Sequence, residues 1–119
     1  LAEDSHGNFW IGTHNGLNKY DRQKNRFIRY LAYKSNKNGF QNNLIKALQA
    51  DKEGSLWIES ISWLSKLDTE KEIWSHRHHP MAIFEGDYFY HHIYEDTKNN
   101  LWLGGRGTAL KKVPNKKLY

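Results

Sequence analysis

A motif that joins an aspartate to a tryptophan recurs three times along the 119-residue chain, and this repetition constrains the fold more than any other feature. The tryptophan follows the aspartate after six residues each time, in the pairs Asp4 and Trp10, Asp51 and Trp57, and Asp96 and Trp102. Successive copies are 47 and 45 residues apart at both anchors. Two anchors that keep one period indicate a protein built from stacked structural repeats.

The apolar residues within each repeat favour strands, because they form short runs and alternations rather than recurring every three or four residues. In the second repeat the pattern predicts strands at 43–50, 55–60, 64–67 and 73–77. Four short antiparallel strands in a period of about 45 residues are typical of one blade of a β-propeller. We therefore predict an all-β partial propeller of three four-stranded antiparallel blades, cut from a larger propeller. The predicted repeats cover residues 1–42, 43–87 and 88–119, the last with its outer strand incomplete.

A tight turn is predicted between the first and second strands of each blade. Glycine supplies the positive φ that such a turn needs, and the leading aspartate can accept hydrogen bonds from the amides of the turn. Asn99 takes the glycine position in the third repeat, and asparagine tolerates that conformation. The tryptophans are predicted to pack in the wedge between neighbouring blades. The predicted structural anchors are Asp4, Gly7, Trp10, Asp51, Gly54, Trp57, Asp96 and Trp102.

Composition narrows the possible functions. The chain has no cysteine, which excludes disulfides and thiolate metal sites, and it has no apolar run near the roughly 18 residues that span a bilayer. The net charge of +5 comes from basic residues that are scattered along the sequence, and the densest group is Lys111, Lys112, Lys116 and Lys117. Scattered positive charge is usually solvated, so no nucleic-acid partner is predicted.

The first repeat resembles a known family. Between Glu3 and Tyr30 it reads ED..GN.WIGT.NGLN.YD...N.F..Y, a pattern similar to the two-component regulator propeller repeat. The likeness is weaker in the second repeat, where Glu59 and Trp63 replace glycines, and in the third, where Gly105 replaces a threonine. The resemblance implies the periplasmic sensor region of a hybrid two-component histidine kinase of Bacteroides-type bacteria. It also implies a response to oligosaccharides.

A ligand face is predicted from the way propeller strands are connected. The aspartate turns lie on one face, and the long inter-blade connections at 31–42 and 79–87 lie on the other, together with turns such as 61–63. Long ordered loops often carry function, and aromatic rings beside polar groups suit the apolar and hydroxyl faces of sugars. We predict that this face binds a ligand through Tyr33, Trp63, Asp87 and Arg106. The alternative is that the two aromatic residues cover blade edges and the two charged residues are solvated.

The sequence also bears on metal binding and on catalysis. The histidines at 76, 78 and 79 and those at 91 and 92 fall at opposite edges of their blades, so neither a metal nor a cofactor is predicted. The aspartate turn is loosely similar to the Asp box of sialidases, but the arginines are too scattered to form a triad, so the segment is not predicted to be an enzyme. A self-assembling lectin or a protein-binding scaffold remains open. The expected partners are an oligosaccharide, further repeats of the parent chain or copies of this one, with the membrane reached only through the parent protein.

Overall fold

The computed structural model describes residues 1–31, 44–60, 63–78, 92–104 and 110–117. In these ranges the chain forms three antiparallel sheets, which we call blades 1, 2 and 3. Blade 1 contains strands β1 (Ala2–Glu3), β2 (Phe9–Thr13), β3 (Gly16–Asp21) and β4 (Arg26–Tyr30). Blade 2 contains β5 (Ile45–Ala50), β6 (Ser55–Ser60), β7 (Trp63–Asp68) and β8 (Ile73–His78). Blade 3 contains β9 (His92–Glu95), β10 (Leu101–Gly104) and β11 (Leu110–Val113), followed by a 3-10 turn at Pro114–Lys116.

Each blade is a meander in which strands that follow one another in the chain pair side by side. The predicted all-β class and the blade architecture are therefore confirmed. One local prediction was wrong: Trp63 begins β7 instead of lying in a turn, because it pairs directly with Ser60 and leaves only residues 61–62 as the connection. The predicted repeat boundaries near residues 42 and 87 lie outside the described residues.

The aspartate turns of the three blades share one hydrogen-bond pattern. In blade 1, Asp4 Oδ1 accepts hydrogen bonds from the backbone amides of His6 and Asn8, at 2.9 and 3.0 Å. Asp51 and Asp96 accept the corresponding amide bonds in blades 2 and 3. The backbone has a φ of 90° at Gly54 and 68° at Asn99, so the third blade reaches the same left-handed turn with asparagine.

The hydrophobic core lies between the blades. Trp10 of blade 1 belongs to a cluster with Ile45, Leu56 and Ile58 of blade 2. Trp57 of blade 2 occupies the same place in a second cluster, whose blade 3 members are Ile93, Leu101, Leu103 and Val113. Each of these two indoles is therefore buried against the following blade, and Trp102 of blade 3 is only half-buried.

A lysine joins blades 2 and 3 on the side of the aspartate turns. Lys116 is buried, and its Nζ donates a hydrogen bond to Glu53 Oε1 at 2.9 Å and another to Glu95 Oε2. Asp51 Oδ2 lies 3.6 Å from the same nitrogen. The expectation of a solvated basic group near the C-terminus is therefore wrong for Lys116, because three carboxylates from two blades surround its ammonium group.

Candidate functional site

Two faces of the structure can be distinguished by their turns. We call the face with the aspartate turns the turn face, and the opposite face, with the β2–β3 and β6–β7 connections, the loop face. Trp63 is half-buried at the loop-face end of β7. The other three predicted ligand residues, Tyr33, Asp87 and Arg106, lie outside the described residues, so their contact with Trp63 stays a prediction.

Buried polar side chains follow Trp63 along the side of blade 2 that faces blade 1. Ser65 stands two residues further along β7, so its side chain lies on the same side of the sheet as that of Trp63. Its hydroxyl lies 2.8 Å from Nδ1 of His76, the residue directly opposite on β8. Burial lowers the pKa of His76, so the imidazole is neutral at pH 7 and both gives and accepts hydrogen bonds.

Aromatic rings continue this surface across the junction between blades 1 and 2. The Trp74 ring stacks on His76 with a centroid distance of 6.0 Å and an interplanar angle of 15°. Tyr30 of blade 1 lies 6.5 Å from Trp74 and 5.6 Å from Trp10, again between ring centroids. Burial, helped by the charge of Glu72, raises the pKa of Tyr30, so its phenol keeps its proton.

A charged pair lies at the loop-face end of β6, on the other side of blade 2. Glu59 is completely buried, and alternation along the strand places it on the side of Trp57, toward blade 3. Burial lowers the pKa of Lys46 on β5, and the negative charge of Glu59 partly offsets that effect. A buried carboxylate is costly without such a partner. Glu59 is therefore a structural residue at this end of blade 2 and not only a replacement for a glycine of the repeat pattern.

Sequence reasoning missed most of these residues. Glu59 gave a usable signal, because a charged residue replaced the glycine that the repeat pattern expects there. His76 gave none, since a strand histidine near the outer edge of a blade is more often on the surface than in contact with a buried serine. Within the described ranges, no group of three or more histidine, aspartate or glutamate residues is arranged to hold a metal ion.

Trp63, half-buried at the loop-face end of β7, can offer part of its ring for stacking on a ligand. Ser65 is completely buried, so its pair with His76 is an internal contact of blade 2. A separate polar groove of about 340 Å³ lies on the turn face between blades 1 and 2, where Lys19 and Lys24 face Glu70 and Glu72. That groove is on the opposite face from Trp63, so the two surfaces are distinct.

The chain is similar to known proteins in part of its sequence and in its fold. The family model described as two component regulator propeller matches residues 1–15 and 84–107. A search of curated proteins gives no match. In the described ranges, no helix has the length and apolar character that a membrane crossing requires.

Solved structures share the fold over nearly the whole chain. The extracellular domain of the putative hybrid two-component system BT3049 from B. thetaiotaomicron superposes with a TM-score of 0.76 and 21% identity, over 96% of this chain and 17% of that one. The extracellular domain of the putative one-component system BT4673 from the same organism gives a TM-score of 0.67 and 24% identity, over 98% of this chain and 16% of that one. The chain spans about one sixth of the length of these structures. The chain folds as blades of a β-propeller, and the two stretches that match the family model, residues 1–15 and 84–107, make up about a third of it.

Proposed function

We propose that this chain is a propeller segment of the periplasmic sensor domain of a hybrid two-component signalling protein. The repeat family supports this, and so does the fold shared with extracellular domains of two putative signalling systems. In this proposal the membrane span and the histidine kinase lie in other parts of a longer polypeptide. The segment itself binds and does not catalyse.

The ligand proposed for the segment is an oligosaccharide, bound at the loop face. The observation that carries this is the position of Trp63, which is half-buried at the loop-face end of β7. An indole ring can stack on the apolar face of a pyranose, and the ring of Trp63 is partly accessible for that contact. Tyr33, Asp87 and Arg106 complete the proposed site.

The test is binding of plant and host oligosaccharides to the chain, first on a glycan array and then by calorimetry. We expect Trp63→Ala to weaken binding about tenfold, which corresponds to about 1.4 kcal/mol. Trp63→Phe keeps an aromatic ring and is expected to retain most of the affinity. Lys24→Ala, on the turn face, serves as the control that leaves binding unchanged. Unchanged binding after alanine substitution of Trp63, Tyr33, Asp87 and Arg106 would exclude the loop face as the site.

Chromogenic glycosides separate this proposal from a glycosidase. We expect no release of the chromophore, because recognition through stacking and neutral hydrogen bonds requires no acid and nucleophile pair. Saturable binding without hydrolysis is the predicted outcome. Hydrolysis that Trp63→Ala abolishes would replace the sensor proposal with an enzymatic one.

A further inference from the structure

The two junctions between neighbouring blades differ on the turn face. At the junction of blades 2 and 3, the ammonium group of Lys116 lies buried against the carboxylates of Glu53 and Glu95. At the junction of blades 1 and 2, a polar groove of about 340 Å³ remains open between turns of the two blades. One junction therefore holds a cation of its own, and the other leaves space for a group from outside the chain.

The register of the strands shows which residue of blade 2 takes the place of Lys116. Lys66 and Lys112 each pair with the tryptophan of their own blade, so these two residues are counterparts. Four residues further along the chain, Glu70 is the counterpart of Lys116. A carboxylate thus stands where the other junction has its ammonium group. It cannot form with the Asp4 turn of blade 1 the ionic contact that Lys116 forms with the aspartate turn of blade 2.

The two walls of the groove carry opposite charges. Lys19 and Lys24 line it from blade 1, and Glu70 and Glu72 line it from blade 2. Lys19 Nζ lies 5.5 Å from the centre of the Trp10 ring, on the side of blade 1 that packs against blade 2. Within the described ranges, no ion pair within 4.0 Å joins these lysines to these glutamates. The charges of both walls are therefore available to a ligand.

Other polar groups that line the groove are used within their own blades. Asp21 Oδ1 accepts hydrogen bonds from the backbone amides of Gln23 and Lys24, at 3.0 and 3.1 Å. Thr69 Oγ1 donates a hydrogen bond to the carbonyl oxygen of Gly54 at 2.8 Å. These contacts fix the turns that form the walls, so the groove is shaped by the fold and its available charges come from the lysines and the glutamates.

We propose that this groove binds a small zwitterion, which is a free amino acid or a short peptide. The ammonium group of the ligand lies against Glu70 and Glu72, and its carboxylate lies against Lys19 and Lys24. A simple cation would leave the lysines unpaired and a simple anion would leave the glutamates unpaired, whereas a zwitterion forms charge-assisted hydrogen bonds with both walls. The volume is at the lower end of the roughly 300 to 1,000 Å³ that is usual for small-molecule sites. This site is additional to the loop face and does not depend on sugar binding.

The experiment is a titration of the isotope-labelled chain followed through its amide NMR spectrum, with glycine, glycylglycine and triglycine as probes. These probes hold their two charges at increasing separations. We expect at least one of them to cause saturable shifts at amides of the groove, such as those of Asn8, Lys24 and Glu70. The N-acetylated form of the best probe has no ammonium group, and its amidated form has no carboxylate. Each blocked form is expected to bind about tenfold more weakly, and added salt is expected to weaken binding of the zwitterion.

Variants that change one wall at a time assign the contacts. Glu70→Gln should weaken binding of the zwitterion, and acetylation of the probe should then cost less than it does with the original chain. Lys24→Gln should in the same way reduce the cost of amidation. Glu70→Lys places a cation where blade 3 has Lys116, so it is expected to abolish binding. Lys98→Gln, at an exposed lysine of the blade 3 aspartate turn, is the matched control and should leave binding unchanged. Both substituted groove residues are exposed, so the fold is expected to be retained and is checked by circular dichroism.

Three results would overturn the proposal. The first is the absence of saturable shifts with all three probes. The second is equal binding of the zwitterion and either blocked form, which would mean that the groove does not recognise both charges. The third is unchanged binding by the Glu70→Lys variant, which would place the site elsewhere. Trp63→Ala is expected to leave zwitterion binding unchanged, so failure of this proposal and failure of the sugar proposal are separate results.

Discussion

At the scale of single residues, one aspartate organises each blade. Asp4 Oδ1 accepts two amide bonds within its turn, and Oδ2 accepts a third hydrogen bond from Trp10 Nε1 at 2.8 Å. The indole N–H is a donor that must be paired when the ring is buried, and Trp10 is 1% exposed. The aspartate and the tryptophan six residues later therefore form one unit, since the carboxylate satisfies both the turn and the core side chain.

We predict that loss of this aspartate costs more stability in blade 1 than in blade 3. Asp4→Ala removes three hydrogen bonds and leaves a buried indole N–H without a partner, so we expect the free energy of unfolding to fall by about 3 kcal/mol. Asp96→Ala removes the corresponding three bonds and one more from Asn100 Nδ2, but Trp102 is only half-buried and water can replace some of them. The loss at Asp96 is expected to be smaller. Urea unfolding of the two variants makes the comparison, and equal losses would show that indole burial does not determine the cost.

At the scale of elements, the junction between blades 1 and 2 depends on a close approach of two strands. A Cβ atom built at Gly12 on β2 would lie 2.3 Å from Ile45 Cγ2 on β5. Real Cβ atoms do not come so close, and the neighbour is a buried side chain of the core. Gly12 is therefore required for the distance between the blades.

A double-mutant cycle tests this approach. Gly12→Ala forces β2 away from β5, and we expect a loss of about 2 kcal/mol in stability, in the range of other overpacked cores. Ile45→Ala removes the methyl group that causes the closest clash, so Gly12→Ala should cost less in that background. Thermal and urea unfolding of the four proteins give the coupling energy. Additive losses would mean that Gly12 acts through its own strand and not through the junction.

The local elements of the fold could be predicted from the sequence, and the contacts between blades could not. The strands of blade 2 were predicted within two residues, because the alternation of apolar residues and the aspartate turn are local signals. The partners of Lys116 were not predicted, since those contacts depend on how two blades meet and no local pattern records that. Trp63 was predicted to lie in a turn at 61–63 but is the first residue of β7, because the connection after β6 has two residues and not three.

At the scale of the whole described chain, blades 2 and 3 are joined by an ionic contact as well as by the core. Lys116 brings one ammonium group to Asp51 and Glu53 of blade 2 and to Glu95 of blade 3. Burial alone would lower the pKa of Lys116, but the hydrogen bonds to Glu95 and Glu53 outweigh it and raise the pKa above its ordinary value. The folded state therefore favours the charged lysine, and the contact stabilises the junction.

We predict that replacing Lys116 lowers the stability of the chain and changes how that stability depends on pH. Lys116→Met leaves the three carboxylates without their cation, and we expect the free energy of unfolding at pH 7 to fall by about 3 kcal/mol. A raised pKa gives a contribution that is complete below the ordinary lysine value of 10.5 and is lost as pH rises through the folded value. The original chain should therefore lose stability above about pH 10.5 more steeply than the variant. Lys117→Met, at an exposed neighbour, is the matched control, and urea unfolding from pH 7 to 11 is the measurement. If the two variants were equally stable at pH 7, blades 2 and 3 would be held together by their apolar cluster alone.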